Sequence, residues 1–184
     1  MDIQNLTNEN KVFIRTLYKE MRDATTSFMS DRDFNMSNAQ MFAFLSYAPI
    51  ALAIASDGVV DEKEIAMLEK FAKTIDVKAM VNLELQEMMA IAFEPESPMT
   101  NEEFNLRIGA EILYLSRNMK KYEADFIRAV KALLTFDFNP KADGSMTQSF
   151  SKLMDSVIEK NAGRDKENEL KNMLEFKKKL GIVA

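Results

Sequence analysis

The sequence predicts an all-α protein, a helical bundle of about seven to eight helices. Apolar residues recur three and four positions apart along most of the chain, and no stretch has the alternation typical of a strand. Five glycines and four prolines in 184 residues leave few turns, which favours long helices. The hydrophobic share of 47% is enough for a packed core, and 14 Met and 13 Phe indicate a methionine- and phenylalanine-rich interior.

The first helix is predicted over about 8–29, with Thr7 as its N-cap. Its apolar residues fall near helical spacing. These residues are Val12, Leu17, Met21 and Phe28. The next segment, 30–37, reads SDRDFNMS and is expected to be a polar connector.

A second helix, about 38–56, follows an N-cap at Ser37, and Pro49 predicts a kink near its middle. It contains no charged residue, so we expect it to be the central buried helix. The side chains expected in the core are Phe42, Leu45 and Leu52. Its apolar run, 41–55, is shorter than the ~20 residues of a membrane span, so a buried helix is expected instead.

The remaining helices are separated by turn and capping signals. Their predicted ranges are 62–75, 78–93, a helix that opens at Thr100, 122–136, 147–161 and 165–180. Thr100 and Glu103 have the spacing of a capping box, in which each side chain accepts a hydrogen bond from the other's backbone N–H. Gly163 and Gly181 stand where helix C-caps are expected.

Composition and charge exclude several classes of function. The chain has no Cys and no His, which excludes thiol and imidazole catalysis, disulfides, and the ligands that zinc and copper favour. Residues 51–105 hold twelve acidic and four basic side chains, a net charge of −8 within a total of −5. An acidic half repels phosphate, so nucleic-acid binding is not expected. The N-terminus carries no secretory signal, so the cytoplasm is the expected location.

Residues 53–64, AIASDGVVDEKE, pose the clearest chemical question in the chain. Asp57, Asp61, Glu62 and Glu64 place four carboxylates within eight residues, and oxygen donors suit the hard cations Ca²⁺ and Mg²⁺. An EF-hand is not indicated: with Gly58 at the sixth position, the first and third ligand positions would be alanines. Any site here would be weak, and no cofactor is expected to be required.

A purely structural hypothesis explains the same residues. Asp61 and Glu64 have capping-box spacing for a helix that begins at Glu62, and first-turn carboxylates suit the helix dipole. Asp57-Gly58 fits a tight turn in which Gly58 takes a positive φ. Both hypotheses remain open from the sequence.

An internal repeat is a further possibility that the sequence leaves open. A shift of 61 residues aligns IASDGVVDEKEI, 54–65, with LSRNMKKYEADF, 115–126. Glu62 then falls on Glu123, and Glu64 falls on Asp125. If the repeat is real, two helix–loop–helix units face each other, and Asp125 joins the acidic loop as a fifth candidate metal ligand.

The segment 51–76, ALAIASDGVVDEKEIAMLEKFAKTID, resembles the TerB-like domain, a family named for a tellurite-resistance protein. The residues that match its pattern are Asp57, Gly58, Val60, Asp61, Glu64 and Leu68. The resemblance covers roughly 38–137, which implies a TerB-like helical core. Residues 1–37 would then be an added N-terminal helix with its connector, and 138–184 a C-terminal helical extension. RNMKKYEAD departs from the family's second motif because it lacks Asp-Gly.

The resemblance implies a non-catalytic module of a metal or oxyanion stress response. Such a module would bind a divalent cation, or would bind other proteins of a stress-response or membrane-associated complex. Two alternatives stay open: a carboxylate-dependent hydrolase, and a helical scaffold whose Met-rich faces bury a partner helix. No residue is assigned a catalytic role, and the oligomeric state is not predicted.

Overall fold

A computed structural model gives the architecture of most of the chain. It describes residues 8–54, 62–63, 65–66, 70, 94–135, 147–148, 150–152, 154–155 and 166–183. The described residues are helical or lie in short connectors, and none of them forms a strand, so the predicted all-α class is confirmed. The long helices are α1 (Asn8–Arg32), α2 (Asn38–Ile54), α3 (Asn101–Arg117), α4 (Met119–Leu134) and α5 (Lys166–Lys179).

Shorter described pieces are helical as well. Residues 62–63, 65–66 and 70 lie within the third predicted helix, and residues 147–148, 150–152 and 154–155 lie within the seventh. The predicted total of seven to eight helices and the pseudo-repeat are not confirmed. No helix among the described residues is both long enough and apolar enough to cross a membrane.

Helix α2 lies at the centre of the bundle, as its uncharged sequence predicts. It packs against α3, α4 and α5. Residues 41–45 are all buried, which confirms the predicted burial of Phe42 and Leu45. The side chain of Leu52 lies outside the described residues.

Aromatic rings fill the space between the helices. Phe28 of α1 stacks on Phe44 of α2 with 5.4 Å between ring centroids, and it meets Tyr122 and Phe126 of α4 edge-on at 5.2 and 5.3 Å. Such offset and edge-to-face pairs each add about 0.5–1.5 kcal/mol beyond the burial of their area. The interior is also rich in methionine, as expected: the buried methionines include Met21, Met36, Met41, Met119, Met154 and Met173.

The predicted polar connector 30–37 is wrong in two respects. Helix α1 continues to Arg32, three residues beyond the predicted end. Phe34 and Met36 are fully buried, and the ring of Phe34 stacks on that of Phe104 of α3 with 5.7 Å between centroids. The position of Val12 was also predicted wrongly. It was expected on the apolar face of the first helix, but it is exposed, and Ile14 is buried instead.

Helices begin or end as predicted where the sequence contains capping residues. The backbone N–H of Gln40 donates to Ser37 Oγ at 3.2 Å, and the predicted capping box of Thr100 and Glu103 is present. Gly181 has φ 75° and ends α5 in a Schellman motif, with Ile182 N–H donating to the carbonyl of Lys177. Helix α4 starts at Met119 rather than at the predicted residue 122, because Asn118 alone joins it to α3.

Candidate functional site

The structure describes two of the five predicted metal ligands. Glu62 is helical with an exposed side chain, and Asp125 is half-buried on α4. The other predicted residues of the loop lie outside the described residues: Asp57, Gly58, Asp61 and Glu64. In the described part of the chain, no three acidic side chains are grouped so that they can hold a metal ion. The metal site therefore stays a prediction.

An acidic residue of α4 forms an ion pair with the C-terminal helix α5. Lys179 Nζ of α5 donates to Glu123 Oε1 at 2.5 Å, and both side chains are partly exposed. An ion pair at such a position stabilises the fold by at most ~1 kcal/mol. It does, however, supply a positive counter-charge next to the segment 123–125 that the repeat would place in the acidic site.

The most buried charge in the described residues is the carboxylate of Glu111 on α3, which is 2% exposed. Its Oε2 accepts from Arg32 Nε at 2.7 Å, and its Oε1 accepts from Arg32 at 3.3 Å and from Arg107 at 3.1 Å. A buried carboxylate is tolerated when such charge-assisted hydrogen bonds replace its hydration. The two guanidinium groups also cover aromatic rings, Arg32 over Tyr114 at 3.9 Å and Arg107 over Phe34 at 4.9 Å.

Arg107 has a second function, which is to cap the C-terminus of α1. Its Nη1 donates to the carbonyl of Asp33, and its Nη2 donates to the carbonyl of Arg32, each at 2.8 Å. The last carbonyls of a helix have no partner within the helix and carry partial negative charge. One guanidinium therefore neutralises the end of α1 while it holds Glu111 of its own helix.

This network was missed in the sequence. Arg32 and Glu111 are 79 residues apart, and no local spacing connects them. One local signal existed: Glu111 falls on the same face of α3 as the buried residues Ile108 and Ile112. An acid on an apolar helix face needs a cation from another element, which is a usable sign of a buried ion pair.

A smaller polar cluster joins α1 to α4. Asp31 Oδ2 accepts from Lys121 Nζ at 2.7 Å and from the buried Tyr122 hydroxyl at 2.5 Å. The hydrogen bond from Lys121, followed by the one from Tyr122, lowers the pKa of Asp31 below its ordinary value. Burial, with the hydrogen bond to Asp31 as the next cause, raises the pKa of Tyr122. At neutral pH the carboxylate is therefore ionised and the phenol is neutral.

A third polar cluster surrounds the start of α2. Arg22 donates to the carbonyl of Met36 at 3.0 Å and to Asn38 Oδ1 at 2.6 Å. Both carboxylate oxygens of Glu94 accept from the backbone N–H of Asn38 at 3.3 Å, where the helix dipole favours negative charge. Burial lowers the pKa of Arg22, and the charge of Glu94 opposes that effect.

These clusters are suited to holding helices together. In the described part of the chain, every buried side-chain nitrogen or oxygen has a hydrogen-bond partner. Asp31 and Tyr122 keep fixed protonation states near neutral pH, and Glu111 is enclosed by two guanidinium groups. The arrangement stabilises the packing of α1 on α3 and α4.

Comparison of the chain with protein-family models, curated proteins and solved structures found no match. The resemblance to the TerB-like family rests on the residue pattern of 51–76 and stays a prediction.

Proposed function

We propose that this chain is a non-catalytic, TerB-like helical module that binds a divalent cation at its acidic loop, 57–64, within a metal or oxyanion stress response. One observation supports the proposal most directly. The uncharged helix α2 runs to Ile54, and Glu62 and Lys63 are helical again eight residues later with exposed side chains. In the sequence, Asp57 and Asp61 stand between these two helical stretches, which is the order of the family pattern.

The chemistry of the loop fits a hard cation. Asp61 and Glu64 have the spacing to cap the helix that begins at Glu62, which leaves Asp57 and Glu62 as the freer ligands. Two carboxylates completed by loop carbonyls and water make a hydrated site of roughly millimolar affinity for Ca²⁺ or Mg²⁺. The fold is held by its own core, so we expect the protein to fold without metal.

The finer architecture belongs to the same proposal. A bundle of seven to eight helices with two facing helix–loop–helix units would bring Asp125 towards the loop. Glu123, the other acid of that segment, is already paired with Lys179. Asp125 is therefore the acid that the second unit has available for the site.

Titration calorimetry with CaCl₂ tests the cation proposal. Wild-type protein should release or absorb heat at roughly millimolar calcium, and Asp57→Asn should weaken that binding at least about tenfold. Asp23→Asn is the matched control, since Asp23 is a surface carboxylate of α1 that pairs with Lys19. Equal heats in all three proteins, or no heat in any of them, would refute cation binding by the loop.

A scaffold that binds a partner helix is the second candidate function. Leu170 and Leu174 lie one turn apart on α5 and are 46% and 45% exposed. They flank the buried Met173, so the apolar surface of α5 is wider than its contact with the core. The calcium titration separates the two candidates, because a scaffold gives no heat that depends on Asp57.

A further inference from the structure

The outward face of α3 carries an apolar stripe with a charge at each end. Successive members are three or four residues apart, except the adjacent pair Gly109 and Ala110, which lies on either side of the line through the others. They are Glu102, Leu106, Gly109, Ala110, Leu113 and Arg117. Leu106 is 80% exposed, the most exposed of the large apolar side chains in the described residues, whereas Leu113 is partly buried and packs against the core. The opposite face of α3 holds the core residues Phe104, Ile108 and Leu115.

The stripe is symmetric about its midpoint: each leucine corresponds to the other leucine, and the acid at one end corresponds to the base at the other. Its midpoint lies between Gly109 and Ala110, and the two leucines are equally far from it on either side. Glu102 and Arg117 are also equidistant from the midpoint, at 7.5 residues or ~11 Å along the helix. A second copy of α3, laid antiparallel about this midpoint, therefore sets the exposed Leu106 of each copy against the partly buried Leu113 of the other, and acid against base.

We propose that α3 forms a two-fold symmetric interface between two copies of this chain. The order of charges identifies the partner, because an antiparallel copy places Glu102 beside Arg117 of the other copy at both ends of the interface. Neither side chain has an ion-pair partner among the described residues of its own chain. Such an isologous contact closes on itself, as in most soluble homodimers.

The small residues at the midpoint permit a close approach of the two helices. Gly109 and Ala110 add almost no side-chain bulk where the axes cross, and the spacing of the stripe suits the shallow angle of coiled-coil packing. A helix of 17 residues is ~25 Å long, so one helix pair gives an interface at the small end of the specific range. We therefore expect a weak dimer with a Kd on the order of micromolar.

Sedimentation velocity of the full chain across roughly micromolar to several hundred micromolar tests the apolar centre. Wild type should pass from monomer to dimer, and Leu106→Glu should weaken the dimer on the order of a hundredfold because both copies lose the contact. Val12→Glu is the matched control: it also charges an exposed apolar side chain, but on α1. It should leave the dimer unchanged. A wild type that stays monomeric, or an equal loss in both variants, would overturn the proposal.

Charge reversal tests the partner and its orientation. Glu102→Arg and Arg117→Glu each place like charges together at both ends, so each variant alone should dimerise at least about tenfold more weakly than wild type. An equimolar mixture of the two variants places opposite charges together at both ends. The mixture should form a heterodimer at least as stable as the wild-type homodimer. A mixture that remains as monomeric as its components would contradict antiparallel pairing through α3.

Discussion

Replacing Glu111 with Gln removes the negative charge that Arg32 and Arg107 share, with almost no change in side-chain shape or helix propensity. Breaking a fully buried ion pair typically costs ~3–5 kcal/mol. The Arg32 and Arg107 side chains are 31% and 37% exposed, so water can rehydrate part of the orphaned charge. The amide oxygen also retains one hydrogen bond. We therefore expect a loss of about 2–3 kcal/mol in the free energy of unfolding.

Urea denaturation followed by circular dichroism measures this loss, with the slope m as a check that the unfolded state is unchanged. The melting temperature should fall by roughly 4–12 °C for a chain of this size. Glu20→Gln is the matched control, because Glu20 pairs with Arg128 at 2.8 Å where both side chains are nearly half exposed. That variant should lose less than ~1 kcal/mol. If Glu111→Gln and Glu20→Gln lose the same free energy of unfolding to within ~0.5 kcal/mol, the Glu111 network contributes no more than a surface ion pair.

Two further predictions concern helix ends and one concerns pH. Gly181→Ala should destabilise the protein by about 1 kcal/mol in the same assay, because φ is 75° there and no atom lies within 4 Å of the added Cβ, so the cost is in the backbone. Asp33→Gly should raise the free energy of unfolding by roughly 0.5 kcal/mol, because Asp33 ends α1 at φ 49°, where glycine is not strained. A loss of stability would mean that the side chain of Asp33 matters more than its backbone conformation. The folded-state pKa of Asp31 is lowered, so its contribution to stability is full above ~4 and is lost as pH falls through the folded value. Unfolding curves of wild type and Asp31→Asn should therefore converge as pH falls below ~4, and a constant difference would argue against the ion pair.

Sequence reasoning succeeded where the determinants are local. The start of α3 follows from the capping box of Thr100 and Glu103, and the start of α2 follows from Ser37 ahead of an uncharged run. The end of α1 was missed because Asp33, not glycine, adopts the left-handed conformation that ends the helix. A glycine there would have given the expected C-cap signal.

The contacts that organise the polar clusters could not be predicted because they are not local. Burial of Phe34 depends on Phe104, and the charge of Glu111 is compensated by Arg32; both partners are at least 70 residues away in the chain. Periodicity predicts which face of a helix is buried but not which cation meets an acid on that face. The acidic loop lies mostly outside the described residues, so its function stays a prediction from pattern and charge.

The central claim, that the acidic loop binds a divalent cation, is tested most directly by residue-resolved NMR during a calcium titration. The amides of 57–64, including those of Glu62 and Lys63, should shift first and saturate together at roughly millimolar calcium. The amide of Asp125 should follow the same curve if the second unit contributes a ligand. Amides near Asp23 on α1 should stay in place. The proposed function would be contradicted if amides near surface carboxylates all over the protein shifted equally. It would also be contradicted if no amide near the loop shifted at calcium concentrations several times higher than millimolar.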